Sequence, residues 1–241
     1  RAELKRYFRE YFEMGGFPEV LKGEDTDLLE QYFKDIIYRD VIARYSIRNL
    51  KEIKELALFL ASNIGTIQSY QNLKNFIGVK SLNTVKNYLG ALNDVFLFFF
   101  IDLFDFSIKR QIYNPSKVYC IDTALSNAIS FKFSHNAGRH YENIVFLELK
   151  RRKDEVYYWK SRKGREVDFI IKKGMKIDAA LQVCLSLTDR KVKEREIEAL
   201  KEANEVLSPN QLIIITEDEE GEEKAGNTKI KVVPLWKWLI N

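Results

Sequence analysis

Apolar residues recur at helical spacing through the first part of the chain. The first stripe consists of Leu4, Tyr7, Phe8, Tyr11 and Phe12. This spacing predicts a helix that ends at Gly15-Gly16, because glycine interrupts helices. A second stripe, from Leu28 to Val41, predicts another helix. Residues 1–48 are therefore expected to form a helical segment.

Three shorter helices are predicted next. Apolar stripes cover Ile53–Ile64, Tyr70–Ile77 and Val85–Leu92, and Gly78-Val79-Lys80 separates the last two by a tight turn. The apolar run that follows Val95, together with Lys109-Arg110-Gln111, is expected to supply the strands of a wing. Residues 49–115 are thus predicted to form a winged-helix-like domain.

The third of these helices would present polar side chains to DNA. They are Asn83, Thr84, Lys86 and Asn87. Such residues can bond bases or phosphates. Few cations lie nearby, and winged helices also dock proteins, so the pattern leaves both partners open.

From residue 116 to 241 the pattern changes to strands and single helices. A helix is predicted over Gly138–Arg151, and strands follow at Val156–Trp159, Val167–Ile171 and Ala179–Leu185. Another helix, predicted from about Asp189 to Val206, a strand at 212–216 and a short closing helix complete the chain. Helix, three strands, helix and strand is the core order of restriction-endonuclease-like domains. The predicted fold class is α+β, with a mixed sheet in this last domain.

Charge is distributed unevenly. The net charge is +4, but six of the 35 acidic residues lie between Glu217 and Glu223, which leaves 29 against 39 basic residues elsewhere. This basic remainder is compatible with a nucleic-acid partner. The longest apolar run, Val95–Ile101, is too short to span a membrane. Cys120 and Cys184 lie in apolar segments, which favours buried thiols and a cytoplasmic location.

Three residues define a candidate catalytic site. Glu142 lies on the predicted helix, Asp168 on the second strand and Gln182 on the third. Their order resembles the signature of PD-(D/E)XK metal-dependent nucleases, in which the last strand carries Glu-x-Lys. The resemblance implies Mg²⁺ or Mn²⁺ held by Glu142 and Asp168, with Gln182 as a weaker neutral ligand. Cys184 stands at the lysine position, which argues against cleavage unless Lys191, Lys193 or Arg195 on the following helix supplies the cation. Alternatively, Glu142 and Asp168 pair with Arg165 or Lys160 in a structural cluster.

A dense basic stretch lies beside this site. The cations expected to follow a phosphate backbone are Arg151, Arg152, Lys160, Arg162, Lys163 and Arg165, interleaved with Tyr157, Tyr158 and Trp159. A solvated hairpin is the alternative interpretation.

The whole chain resembles the C-terminal region of archaeal and bacterial AAA-family ATPases, in which a winged helix and a nuclease-like domain follow the ATPase domain. The resemblance is carried by Gly15-Gly16-Phe17-Pro18-Glu19, Tyr38-Arg39-Asp40, Glu142-Asn143, Glu166-Val167-Asp168-Phe169, and Gln182-Val183-Cys184 followed by Arg195-Glu196. It implies that ATP binds only upstream, in agreement with the absence of a P-loop motif from this sequence. The start at Arg1, within an amphipathic pattern, likewise predicts a fragment of a longer protein.

Three functions follow from these observations. The first is a DNA-binding or partner-docking module of an ATPase with a degenerate nuclease-like domain. The second is an active endonuclease that uses a divalent metal. The third is a protein-docking or oligomerisation module that does not touch DNA. Expected partners are DNA, the upstream ATPase domain and further copies of the chain.

Overall fold

The structure is a computed structural model and describes residues 1–23, 25–130, 137–226 and 228–240. The described chain forms two compact units. Residues 1–100 and 115–130 lie in the first unit, and residues 101–114 and 137–240 lie in the second. The first unit is largely helical and the second contains a mixed sheet, which confirms the predicted α+β class.

Helices dominate the first unit. They are α1 (Ala2–Met14), α2 (Pro18–Gly23), α3 (Asp27–Asp35) with a π-helical continuation (Ile36–Ala43), α4 (Leu50–Ser62), α5 (Tyr70–Ile77), α6 (Leu82–Asp94) and α8 (Thr123–Ile129). The apolar stripes of α3, α4, α5 and α6 meet in one core that includes Leu29, Ile53, Leu56 and Leu92, whereas α1 has no buried residue. Side chains of Asn49, Ser69 and Ser81 accept backbone N–H groups at the starts of α4, α5 and α6, which satisfies helix-end donors that would otherwise lack partners.

The buried carboxylate of Asp122 contacts the Gly15-Gly16 pair that follows α1. Asp122 caps α8 by accepting the Leu125 N–H at 2.8 Å, and its other oxygen accepts the Gly16 N–H at 2.7 Å. Gly15 has a φ of 77°, and a Cβ there would lie 2.4 Å from Asp122 Oδ1. Glycine is required at position 15 both by the left-handed backbone and by this close approach.

A small sheet accompanies α4, α5 and α6. Its strands are β1 (Ile67–Gln68), β2 (Phe98–Ile101) and β3 (Ser116–Cys120), in the order β1-β3-β2. The predicted wing is wrong at Lys109-Arg110-Gln111, because Ile108–Tyr113 forms helix α7 and belongs to the second unit. The predicted division at residues 115 and 116 also differs from the observed units, since β3 and α8 pack within the first unit.

The second unit is built on a six-stranded sheet in the order β4-β5-β6-β7-β9-β8. The strands are β4 (Glu155–Lys160), β5 (Glu166–Lys173), β6 (Lys176–Val183), β7 (Gln211–Thr216), β8 (Gly221–Ala225) and β9 (Thr228–Pro234). β4, β5 and β6 are antiparallel neighbours, whereas β6, β7 and β9 are parallel. The helices are α9 (Ala137–Arg151), α10 (Arg190–Leu207) and α11 (Leu235–Trp238).

Two strands of this sheet were not expected from the sequence. β8 begins inside the acidic run at Glu217–Glu223 and is an edge strand, in which Glu222 and Lys224 are exposed and Glu223 is half-buried. Charged residues are common on edge strands, where they hinder pairing with other chains. Apolar and polar residues do not alternate in this run, so the sequence pattern does not predict the strand.

Both cysteines are buried and, among the described residues, neither forms a disulfide, as predicted. Cys120 lies in the core of the first unit and Cys184 in that of the second. Among the described residues, no helix is both long enough and apolar enough to cross a membrane.

Candidate functional site

Asp168 and Gln182 lie side by side on the antiparallel strands β5 and β6. The Asp168 N–H donates to Gln182 Oε1 at 2.7 Å, and Asp168 Oδ2 accepts the Val183 N–H at 2.9 Å. Each side chain therefore bonds the backbone of the neighbouring strand. These bonds hold both side chains in place without an added ligand.

The Gln182 amide nitrogen also has protein partners. It donates to the Glu166 carbonyl at 3.1 Å and to Glu196 Oε2 at 2.5 Å. Gln182 is only 4% exposed. A carboxylate at this position could not donate to Glu196, so the glutamine is matched to an acid on α10.

Glu196 is the site residue that sequence reasoning missed. It shares the buried face of α10 with Ala199, Leu200 and Ala203, and its carboxylate accepts from the exposed Arg195 at 2.5 Å. Burial raises the pKa of Glu196; the nearby Asp168 carboxylate raises it further, whereas Arg195 and Gln182 act in the opposite direction. A glutamate within an otherwise apolar helical stripe was the available signal, because an acid there needs a buried partner.

Glu142 lines the same cleft from α9 and is 8% exposed. The cleft has a volume of about 450 Å³. Its acidic and amide lining consists of Glu142, Glu166, Asp168, Gln182 and Glu196. The structure thus brings the three predicted catalytic residues into one cleft, together with Glu196.

Two of the three predicted site residues already accept backbone hydrogen bonds. One Asp168 oxygen accepts a backbone N–H, and the Gln182 oxygen expected as a weak ligand accepts another. Glu196, one of the three other acids that line the cleft, is bonded to Gln182 and Arg195. In residues 1–23, 25–130, 137–226 and 228–240, no three or more His, Cys, Asp and Glu side chains are grouped to hold a metal.

Cys184 supplies no cation at the position where the nuclease signature has lysine. Burial raises the pKa of its thiol to about 12, and the carboxylates of Glu196, Glu219 and Asp168 add to the shift. The side chain is therefore a neutral thiol at physiological pH, packed in the core of the second unit. It cannot polarise an attacking water as an ammonium would.

Three of the predicted nucleic-acid cations are held by acids. Arg151 and Arg152 both donate to Glu148, at 2.6 Å from the nearest nitrogen of each. Arg152 also lies 4.5 Å from the Trp238 ring centroid and donates to the Trp238 carbonyl at 3.0 Å. Arg165 contacts Glu202 at 3.1 Å and Glu198 at 3.5 Å. The predicted pairing of Arg165 with Glu142 or Asp168 is therefore replaced by pairing with α10.

The other three cations lie at the β4–β5 turn. Lys160, Arg162 and Lys163 are exposed, and their side chains have no ion-pair partner in the part of the chain that the structure describes. Arg139, which was not predicted, lines the cleft with Lys163 and also lacks such a partner there. These four positive groups are open to an anionic ligand. By contrast, Tyr158 and Trp159 are buried and cannot stack on bases.

The predicted DNA-facing residues of α6 belong to the first unit. Asn83, Lys86 and Asn87 are exposed, and Thr84 is half-buried. Lys86 Nζ lies 5.2 Å from the Tyr70 ring centroid, a cation–π contact within the unit. The helix therefore presents a polar surface with a single lysine among these four residues.

Two family models match the chain. Residues 5–136 match the domain of unknown function DUF8612, and residues 137–238 match the domain of unknown function DUF4143. DUF4143 is a domain typically found in the C-terminal regions of AAA ATPases.

Two uncharacterized proteins are similar in sequence. One, from Methanocaldococcus jannaschii, is 38% identical over 259 aligned positions that cover 100% of this chain and 57% of the relative. The other, from Haemophilus influenzae, is 29% identical over 181 positions that cover 72% of this chain and 45% of the relative. The chain thus spans about half the length of these curated relatives.

A solved assembly of Thermococcus gammatolerans McrB AAA+ hexamers with bound McrC also matches, with a TM-score of 0.31 and 9% identity. The match covers 77% of this chain and 47% of the solved chain. Similarity at this level is too weak to support a statement about fold or function.

Proposed function

Because this chain belongs to the family of the domain of unknown function DUF8612 and continues into a DUF4143 domain, we propose that it is the nucleic-acid-binding C-terminal module of an AAA-family ATPase. In this proposal the second unit is a nuclease-like domain that binds DNA without cutting it. ATP is bound by a separate domain of the whole protein. The typical occurrence of DUF4143 in AAA ATPases supports the association.

The single observation that carries DNA binding is the set of open cations at the β4–β5 turn. Lys160, Arg162 and Lys163 are exposed, while Arg151, Arg152 and Arg165 are engaged by acids. Exposed cations without partners can exchange their counterions for phosphates at little cost, and this exchange drives most non-specific DNA binding. Arg139 extends the positive surface into the cleft.

The hydrogen bonds of Gln182 and the neutral state of Cys184 support the part of the proposal that excludes cutting. The Gln182 amide is used within the protein at both its oxygen and its nitrogen. The Cys184 thiol, with a pKa raised to about 12, offers no positive charge. In this proposal, the cleft binds DNA but does not hydrolyse it, because no ammonium stands at position 184.

A second DNA-contacting surface is proposed on α6. The order α4-β1-α5-α6-β2-α7-β3, in which α7 belongs to the second unit, and the sheet order β1-β3-β2 support a winged-helix assignment for this part of the first unit. In that assignment, Asn83, Lys86 and Asn87 face the nucleic acid, and Thr84 contributes from the edge. With one lysine among the four, this surface should contribute less to affinity than the β4–β5 turn.

The proposal is tested by the salt dependence of DNA binding, measured by fluorescence anisotropy with labelled duplex DNA. Each phosphate contact contributes about −0.9 to the slope of log affinity against log salt concentration. A steep linear dependence is expected for the wild-type chain. Absence of binding at low salt would overturn the proposal and favour protein docking.

A further inference from the structure

A groove beside the β4–β5 turn combines an exposed aromatic ring with open cations. Its volume is about 490 Å³. The segment before α7 supplies Phe104 and Phe106, the hairpin supplies Trp159 to Lys163, and α10 supplies Glu202, Val206 and Leu207. All of these residues belong to the second unit.

Three aromatic rings pack one against the next, and the last ring is exposed to solvent. Tyr157 and Phe104 meet edge to face at 5.6 Å between centroids, and Phe104 and Phe106 at 5.5 Å. Phe104 is 7% exposed, whereas Phe106 is 77% exposed. Phe106 is therefore positioned by a buried neighbour while most of its own ring remains available for contact.

The acids of the groove are already neutralised. Asp105 contacts Arg110 at 3.1 Å, and Glu202 contacts Arg165 at 3.1 Å. Lys160, Arg162 and Lys163 also line the groove and have no ion-pair partner among the described residues. The groove thus has an excess of three uncompensated positive charges, which favours an anionic partner over an apolar peptide.

We infer that this groove binds unpaired nucleic-acid strand, with a base stacked on Phe106 and the phosphate backbone along Lys160, Arg162 and Lys163. The inference rests on the proposed function and names its substrate class. Stacking requires an accessible base face, which a single strand offers and an intact duplex hides between base pairs. Every base has such a face, so binding is tolerant of sequence.

Lys163 links this groove to the site described above. It lines both the groove and the cleft that contains Asp168 and Gln182. A strand stacked on Phe106 can therefore continue toward the cleft along the β4–β5 turn.

The test compares two labelled DNAs with the 241-residue chain by fluorescence anisotropy: oligo(dT) of about 20 nucleotides, which exceeds the site size of a typical single-strand-binding fold, and a hairpin duplex of matched charge. Phe106→Ala should weaken oligo(dT) binding at least about fivefold, the lower range for loss of one base–aromatic stack. Duplex affinity should be unchanged. Phe106→Trp should retain oligo(dT) binding.

Tyr113→Ala is the matched control. Tyr113 is 79% exposed on α7 but does not line the groove, so its removal should leave both affinities unchanged. Equal losses on both DNAs, or no loss with Phe106→Ala, would overturn the inference. Binding of duplex alone would overturn it while leaving the proposed function intact. Failure of the wild-type chain to bind either DNA would refute both.

Discussion

The Gln182 amide connects three elements of the second unit. It accepts from the backbone of β5, lies on β6 and donates to Glu196 on α10. A neutral amide can donate to a carboxylate and also accept from a backbone N–H, because it has both donors and an acceptor. The nuclease signature has a glutamate here, which would face Glu196 as a second acid. Gln182 therefore occupies an internal hydrogen-bonding position.

Glu196 makes stability depend on pH. Burial and the Asp168 carboxylate raise its pKa, so the folded chain retains a proton that the unfolded chain releases. The stabilisation that protonated Glu196 provides is fully present below the pKa of this glutamate in the unfolded chain. It is lost as the pH rises through the higher pKa of Glu196 in the folded chain. Between these two pKa values, we expect the unfolding free energy of the wild type to fall with rising pH, relative to the unfolding free energy of Glu196→Gln. Urea unfolding over a pH series measures the difference; a constant difference would contradict the assignment.

Gly15 provides a second residue-scale prediction. Gly15→Ala would place a Cβ 2.4 Å from Asp122 Oδ1 on a backbone with φ of 77°. The expected loss of unfolding free energy is about 2–4 kcal/mol, from backbone strain plus the clash. Gly78→Ala is the control, since Gly78 has a φ of 71° and nothing within 4 Å of its Cβ position. The control should lose only about 1 kcal/mol. Equal losses in urea unfolding would show that the Asp122 contact is unimportant.

At the scale of elements, two neighbouring groups of cations have different roles. The end of α9 holds Arg151 and Arg152 against Glu148, which is 8% exposed. Burial raises the pKa of Glu148, but the two arginines outweigh it and leave the pKa lowered. The β4–β5 turn carries cations that have no such partners within the described part of the chain. Sequence alone groups all of them into one basic stretch.

This difference predicts opposite effects of substitution. Replacing Lys160, Arg162 and Lys163 with alanine should reduce the magnitude of the duplex salt slope by about 2–3 and leave stability within about 1 kcal/mol. Arg151→Ala with Arg152→Ala should leave the slope nearly unchanged and destabilise the fold by about 1–3 kcal/mol, because Glu148 loses its partners. Anisotropy titrations and urea unfolding of both variants measure the two effects. Equal salt slopes for the two variants would contradict the distinction between the two groups of cations.

Sequence periodicity predicted the elements that carry strong apolar patterns. α9, β5, β6 and α10 lie within a few residues of their expected bounds. The helix at Ile108–Tyr113 was missed because Ile108, Ile112 and Tyr113 are exposed, so their apolar character does not indicate burial. β8 was missed because its residues are charged. Exposed elements lack the alternation on which sequence reasoning depends.

The candidate site was predictable only in part. Strand spacing was enough to pair Asp168 with Gln182, and helix position was enough to include Glu142. Glu196 and Arg139 required knowledge of which helix face meets the sheet. Side-chain positions were required to distinguish cations with ion-pair partners from cations without them. Arg165, for example, pairs with Glu202, which lies 37 residues away in the sequence. Long-range pairing of this kind leaves no local pattern.

At the scale of the whole molecule, the two units carry separate candidate surfaces. The second unit contains the cleft, the open cations and the Phe106 groove, and the first contains the polar face of α6. The curated relatives are about twice as long as the regions matched here. In our proposal, the ATPase domain supplies energy and the described units hold the nucleic acid.

The most direct test of binding without cutting is one assay that reports both. Labelled supercoiled, linear and single-stranded DNA would be incubated with the wild-type chain in Mg²⁺ or Mn²⁺, and each sample divided between native and denaturing gels. We expect retarded bands on the native gel and intact DNA on the denaturing gel. Cleavage by the wild type that is lost in Asp168→Ala would contradict the account and establish an active nuclease.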